Sequence, residues 1–335
     1  MKVAVLGSGS WGMTLAMLLE QNGHSVWVWF WDATLYQQAE ETQELPDFLP
    51  GVTIPKSLHL TPELSEAVRE ADLIVVATPS HAVRATTAAI QEMVSPNALI
   101  VNVAKGIEND SLLTMSQVIC DATPGIVPER VASLYGPTHA EEVSKGMAST
   151  IVAACPNEDN ARKVQEYFMC KTLRVYTNTD ILGVEYGGSL KNVIAIAAGI
   201  LAGMGAGDNT LAALITRGSF EITRLGMKLG AREATFAGLS GIGDLIVTCL
   251  SQHSRNRHVG YELGRGRKLN DILNEMKMVA EGVRTAKSVH QLMLKTGVEM
   301  PISQQIYKVL FEDKDPRQSV MELMERDPVE ERHSL

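Results

Sequence analysis

With 335 residues, of which 45% are hydrophobic and 21% charged, the chain is long enough for two domains with proper cores and too apolar to be disordered. Its formal charge of −9 argues against general nucleic-acid binding, which needs a net basic face. Cys120, Cys155, Cys170 and Cys249 lack C-x-x-C spacing, and His81, His139, His253 and His258 lack ligand spacing, so neither a disulfide framework nor a metal is expected.

The first predicted strand, 2–6, runs directly into GSGSWG, which sets Gly7, Gly9 and Gly12 in the order G-x-G-x-x-G ahead of a helix-forming stretch at 14–20. The first glycine permits a tight turn, the second lets backbone approach a pyrophosphate, and the third lets the helix pack on its strand. The helix N-terminus then offers N–H groups and positive dipole to the phosphates. A second strand, 25–31, leads to Asp32, twenty positions after Gly12, the spacing at which an acid binds an adenosine ribose. Further strands are predicted at 73–77, 99–103, 131–134 and 150–154, alternating with helices, so a mainly parallel Rossmann-type α/β sheet is expected. Three chemically loaded loops, ATPSHAVR, AKGIEND and YGPTHAEEV, follow strands three to five and should face the same crevice as the glycine turn.

Beyond residue 180 the texture becomes helical, so the domains are expected at 1–181, for the dinucleotide, and 182–335, all helical, for the substrate. Helices are predicted through 269–294 and 301–311, with a frayed acidic tail after Glu322. No uninterrupted apolar run of about 18 residues occurs; the nearest, 193–214, is broken by glycines and by Asp208 and Asn209, which read as helix-capping residues. No membrane span is therefore expected. The N-terminus lacks the features of a secretory signal, so a cytoplasmic location is expected.

Lys191 and Asn192 stand in an otherwise small and apolar helix, where a lysine must snorkel, pair or face a cleft. A lysine serves as an acid in a closed site because desolvation and nearby cations lower its affinity for the proton, and Lys105 is a candidate for such a cation. Asp244 and Thr248 lie four apart, on one helix face, and can address one ligand. Ser254, Arg255, Asn256 and Arg257 follow; Arg255 carries a planar fork that suits a phosphate, although a solvated basic turn has the same composition.

Taken together, GSGSWG, LPGV, ATPSHAVR, KGIE, YGPTHAEEV, GVEYGGSLKNVIAIAAGI, GDNTLAALITRG, FAGLSGIGDLIVTC and SRNRHVG resemble, in order and over nearly the whole chain, the bacterial-type NAD(P)-dependent glycerol-3-phosphate dehydrogenases. The resemblance implies reversible hydride transfer between NAD(P)H and dihydroxyacetone phosphate, giving sn-glycerol 3-phosphate for phospholipid synthesis, and a homodimer. It implies Lys191 as general acid and base, and Lys105, Gly136, Thr138, Asn192, Asp244, Thr248, Ser254, Arg255 and Asn256 at the substrate. For the cofactor it implies Gly7, Gly9, Ser10, Trp11, Gly12, Trp31, Lys105, Ala140, Arg255, Val279 and Glu281.

The chain departs from that pattern at Thr138, where serine is usual, and at His139, where phenylalanine is usual. It also reads WFWDA at the end of the second strand, where relatives often carry glycine and then histidine or arginine. Without arginine at Phe30 or Trp31, a preference for NADPH is not implied; Trp31 suits either an adenine stack or a core position. Two other readings remain: a 3-hydroxyacid or 6-phosphogluconate-type dehydrogenase, which would need a carboxylate clamp, and a dinucleotide-binding module without turnover.

Overall fold

Runs such as VAVL, LIVV and LIVN are apolar at every position, so neither face of the strands they form can be left in water. The computed structural model describes residues 1–328, 330 and 331. These runs lie at the centre of an eight-stranded sheet built from β1 (Lys2–Leu6), β2 (Ser25–Trp29), β3 (His59–Thr61), β4 (Leu73–Val76), β5 (Leu99–Asn102), β6 (Val131–Tyr135), β7 (Ser149–Ala154) and β8 (Leu173–Asn178). The strand order is β3-β2-β1-β4-β5-β6-β7-β8, and every pair is parallel except β6 with β7.

Alternation along β1 distributes its side chains between two cores. Val3 and Val5 join Met13, Leu15 and Leu19 of the helix Ser10–Gln21 and Val164 and Phe168 of the helix Glu158–Phe168. Ala4 and Leu6 join Val83, Ile90, Met115 and Val118 on the other face. Leu6 lies opposite Trp29 of β2 and Val76 of β4, so the three carboxyl ends are level. The chain leaves β1 toward β2 and β3 and returns to β4 on its other side, which makes the β1/β4 edge the switch point where such sheets take ligands.

Two strands escape the sequence prediction. β3 is only three residues long, and β8, LRVYTN, alternates buried and exposed positions as an edge strand does. The second strand ends at Trp29, two residues earlier than predicted.

The chain divides into two compact units, one formed by Met1–Lys105 with Leu113–Ile181, the other by Gly106–Leu112 with the residues from Leu182 onward. The expected division at 181 therefore needs one correction: seven residues from within the first domain belong to the second unit. Ile107 sits in that unit's core, Ser189 Oγ donates to the Gly106 carbonyl at 3.2 Å, and Ser288 Oγ donates to the Ile107 carbonyl at 2.9 Å. Gln291 and Asp110 bond each other twice, at 3.0 and 3.2 Å. Asp110 and Leu112 hold φ of 69° and 60°, so the segment keeps its shape against backbone strain.

The second unit is helical. The helix Ile181–Gly203 is apolar almost all round and is correspondingly buried, as a central helix must be. Arg255–Gly264 crosses it backbone to backbone: a Cβ on Gly199 would lie 2.0 Å from the Arg257 carbonyl oxygen, and one on Gly260 2.0 Å from that of Ile196. Only glycine permits that approach. The predicted helix 269–294 is two, Leu269–Glu275 and Glu281–Thr296, and Gly207, not Asp208 or Asn209, is the cap residue of Asp208–Lys228. Asp208 instead sits in the first turn, where its charge suits the dipole.

The last helix, Pro316–Met324, extends past the position where fraying was predicted, and Val329 and 332–335 of the tail lie outside the described residues. Among the described residues Glu233–Leu250, rather than 193–214, is the segment long and apolar enough to cross a bilayer by length and composition. It is not one regular helix: a π-helical turn, Leu239–Gly243, leads into Asp244–Leu250.

Candidate active site

The glycine turn in the first unit shows what each glycine is for. Gly7 has φ of +120°, and a Cβ there would lie 2.8 Å from the Ala77 carbonyl oxygen at the end of β4. A Cβ on Gly12 would lie 2.0 Å from the Gly7 carbonyl oxygen, so this residue lets helix Ser10–Gln21 meet the turn. A Cβ on Gly9 would meet nothing within 4 Å. Gly9 is also the cap position of the helix, and no side chain caps it. The turn thus leaves open space in front of a helix N-terminus, and its residues fit a dinucleotide pyrophosphate.

Around this turn, Ser10 Oγ donates to the Phe48 carbonyl at 2.7 Å, Trp11 packs half-buried on the first core, and Trp31 stands 81% exposed just past β2. The exposure of Trp31 rejects the core position that the sequence left open for it. Asp32 caps the helix Ala33–Thr42, its Oδ1 accepting from the Thr34 and Leu35 amides at 2.8 and 3.1 Å.

At the ends of β5 and β6 the Gly136 carbonyl is a point of convergence. It accepts from Lys105 Nζ at 3.0 Å, from the Thr138 amide at 2.8 Å and from Thr138 Oγ1 at 3.3 Å. Gly136 itself is packed against β7, since a Cβ would fall 2.9 Å from Ile151 Cα. Ala140 begins the short helix that follows. Sequence reasoning missed the support beneath Lys105. Asn102 donates to the Ala104 carbonyl at 3.2 Å and to Tyr135 Oη at 2.9 Å, accepts from the Ala104 amide at 3.0 Å, and Tyr135 Oη donates to the same Ala104 carbonyl. The signal was an asparagine closing a wholly buried strand, where only a satisfied network makes it tolerable.

In the second unit Lys191 is 5% exposed, and its Nζ donates to Asp244 Oδ1 at 2.7 Å and to Thr248 Oγ1 at 2.5 Å. Thr248 Oγ1 donates its own hydrogen bond to the Asp244 carbonyl at 2.6 Å, which turns an oxygen lone pair toward the ammonium. Asp244 and Thr248 do share a face, as their spacing predicted, but what they address together is Lys191. Within its own unit Lys191 is paired with a carboxylate, that of Asp244. A buried ammonium is costly unless paired, and Asp244, 1% exposed, supplies the pair. Cys249, beside them, remains a thiol: burial pushes it up to about 12, against a downward pull from Lys191 and Arg257 and an upward push from Asp244.

Asn192, the next residue, accepts at Oδ1 from Asn256 Nδ2 at 3.0 Å, while Asn256 Oδ1 accepts from the Gly282 amide at 2.8 Å. Gly282 allows this, as a Cβ there would press on the Asn192 carbonyl and Asn256 Oδ1 at 2.6 and 2.9 Å. Ser254 is the helix cap of Arg255–Gly264, its Oγ accepting from the Arg257 amide at 3.2 Å. Arg255 is exposed and donates from Nη1 to the Val279 carbonyl at 3.1 Å, and Glu281 opens the helix Glu281–Thr296. The predicted residues therefore divide between the two units: Gly7, Gly9, Ser10, Trp11, Gly12, Trp31, Lys105, Gly136, Thr138 and Ala140 in the first, and Lys191, Asn192, Asp244, Thr248, Ser254, Arg255, Asn256, Val279 and Glu281 in the second.

Models of the NAD-dependent glycerol-3-phosphate dehydrogenase N-terminus and C-terminus match residues 2–161 and 180–321. The chain is 51% identical over 332 residues to glycerol-3-phosphate dehydrogenase [NAD(P)+] of Chlorobium luteolum, covering 99% of this chain and 100% of the relative. It is 49% identical over 331 residues to the Geobacter sulfurreducens enzyme of the same name, covering 99% of each. The fold is similar to the crystal structure of glycerol-3-phosphate dehydrogenase from Coxiella burnetii, with a TM-score of 0.92, 34% identity and coverage of 97% of this chain and 99% of that one. On these matches the chain belongs to the NAD-dependent glycerol-3-phosphate dehydrogenase family and is an NAD(P)-dependent oxidoreductase.

Proposed function

We propose that this protein reduces dihydroxyacetone phosphate to sn-glycerol 3-phosphate, reversibly, with Lys191 as the proton donor. The observation that carries the assignment is the buried Lys191 ammonium, held at 2.7 Å by Asp244 and 2.5 Å by Thr248. NAD(P)H, when bound, would supply the hydride for C2 of the ketone. The electron pair released from the carbonyl goes to the C2 oxygen, and Lys191 delivers a proton there from Nζ. In oxidation the neutral amine takes that proton back. Asp244 compensates the ammonium before transfer, and its fixed position orients Nζ.

Arg255, Asn256 and Ser254 form the phosphate grip, and Asn192, Lys105, Gly136 and Thr138 frame the carbonyl and hydroxyl groups. Gly7, Gly9, Ser10, Trp11, Gly12, Trp31, Lys105, Ala140, Arg255, Val279 and Glu281 bind the cofactor. The product is the backbone of glycerophospholipids, which the reaction supplies. A cytoplasmic location agrees with four cysteines that form no disulfide, and we assign a homodimer, for which helical faces such as 211–225 of the helix Asp208–Lys228 can supply an interface. The test is direct: purified protein with NADH or NADPH consumes the reduced cofactor when dihydroxyacetone phosphate is added, and failure with both overturns the assignment. Light scattering at micromolar protein gives the mass of two chains if the homodimer is right.

A further inference from the structure

We propose that this chain selects NADH over NADPH, because the carboxyl end of β2 presents the Trp31 indole and the Asp32 carboxylate and no cation. The inference rests on the dinucleotide reading of the glycine turn and deepens it. In a sheet of this order the adenosine half of the cofactor lies beyond the end of the strand next to β1, on the side away from β4. Here that strand is β2, and the residues it delivers to the edge are Phe30, Trp31 and Asp32.

Phe30 is 1% exposed and belongs to the core, so it offers nothing to a ligand. Trp31 is 81% exposed, a large π face on the rim of a sheet whose other large aromatics are mostly covered. Such a face suits stacking on a base and has no charge to offer a phosphate. Asp32 is fixed there by two amides at Oδ1, at 2.8 and 3.1 Å, so its negative charge cannot swing away from the edge. A carboxylate so placed accepts from ribose hydroxyls and repels a dianion on the 2′ oxygen.

The surrounding chain reinforces that sign. Between Val3 and Pro55 there is no lysine or arginine, while Asp32, Glu40, Glu41, Glu44 and Asp47 all fall after β2. His24 and His59 stand at the amino ends of β2 and β3, the opposite edge of parallel strands. The bases on the proper edge nearest in the sheet follow β4, separated from β2 by the whole of β1, and Arg84 among them is held by Asp121 at 2.6 Å. A 2′-phosphate therefore meets one sign of charge.

The experiment is calorimetric titration of the full-length protein, without substrate, with NADH and with NADPH at two ionic strengths. Three proteins are compared: the unmodified chain, Asp32→Asn, which keeps a capping side chain but loses the charge, and Trp31→Arg. The unmodified chain should bind NADH about tenfold or more tightly than NADPH, and the ratio should narrow as salt is raised, since the repulsion is exposed to solvent. Asp32→Asn and Trp31→Arg should each shrink the ratio, the second by improving NADPH binding. Equal or tighter binding of NADPH by the unmodified chain overturns the proposal, as does a ratio unchanged in both variants. Binding of neither dinucleotide overturns the cofactor reading as well, so the two failures are distinct.

Discussion

Replacing Glu221 with glutamine isolates the titration of one buried carboxyl. Glu221, 5% exposed on the helix Asp208–Lys228, accepts from the Ile302 amide at 2.6 Å, the Ser303 amide at 3.1 Å and Ser303 Oγ at 2.9 Å. It thereby caps the helix Pro301–Phe311 from a distance of eighty-one residues in the chain. Burial raises its pKa from 4.5 to about 7, in spite of those three hydrogen bonds and the nearby Arg224, all of which pull it down. Because the folded state holds this proton more tightly than the unfolded state, the contribution is fully present below about pH 4.5 and is lost as pH rises through 7. The full change is about 3.4 kcal/mol, of which about 2.5 kcal/mol falls between pH 5 and pH 8.

Glutamine cannot titrate, and its amide nitrogen faces an N–H where an oxygen stood, which adds a cost independent of pH. Urea unfolding of both proteins between pH 5 and pH 8 gives the wild-type-minus-variant difference, in which all other titrating groups cancel. That difference should fall by about 2.5 kcal/mol across the range. A flat difference would show that Glu221 keeps one protonation state throughout and would refute the reasoning.

Lys191→Ala should lower kcat by about 10²- to 10⁴-fold with the NADH dissociation constant unchanged, and equal loss in both quantities would remove the lysine from the acid role. Arg255→Ala should raise KM for dihydroxyacetone phosphate by about ten- to a hundredfold with a smaller change in kcat, measured by steady-state kinetics. Gly260→Ala places a methyl group 2.0 Å from the Ile196 carbonyl oxygen and should cost about 1–3 kcal/mol, seen as a lower thermal midpoint. An unchanged midpoint would mean that the two helices separate without penalty.

The glycine turn was legible because its signal is local: a strand, three glycines at fixed spacing and a helix follow one another within twenty residues. The sheet was legible for the same reason wherever a strand was wholly apolar, as in LIVV and LIVN. It was not legible at β7, since direction depends on how the chain returns rather than on composition, nor at β8, whose arginine, tyrosine and threonine belong to an exposed edge. Asp244 and Thr248 could be placed on one face from their spacing, yet their partner lies more than fifty residues away and nothing local names it. Glu221 is the sharper case. An isolated glutamate in a mixed helix reads as solvated, and only the docking of Pro301–Phe311 makes it a buried cap.

The seven residues Gly106–Leu112 bear on how this protein can be cut. A fragment ending at residue 181 would carry that segment with Ile107 and its backbone carbonyls stripped of Ser189 and Ser288. The complementary fragment would lack a piece of its own core, so neither half is a self-sufficient module even though each has its own hydrophobic interior. Shuffling the cofactor half of one relative onto the helical half of another would therefore require the donor of the helices to supply this internal segment too, a graft at three junctions instead of one.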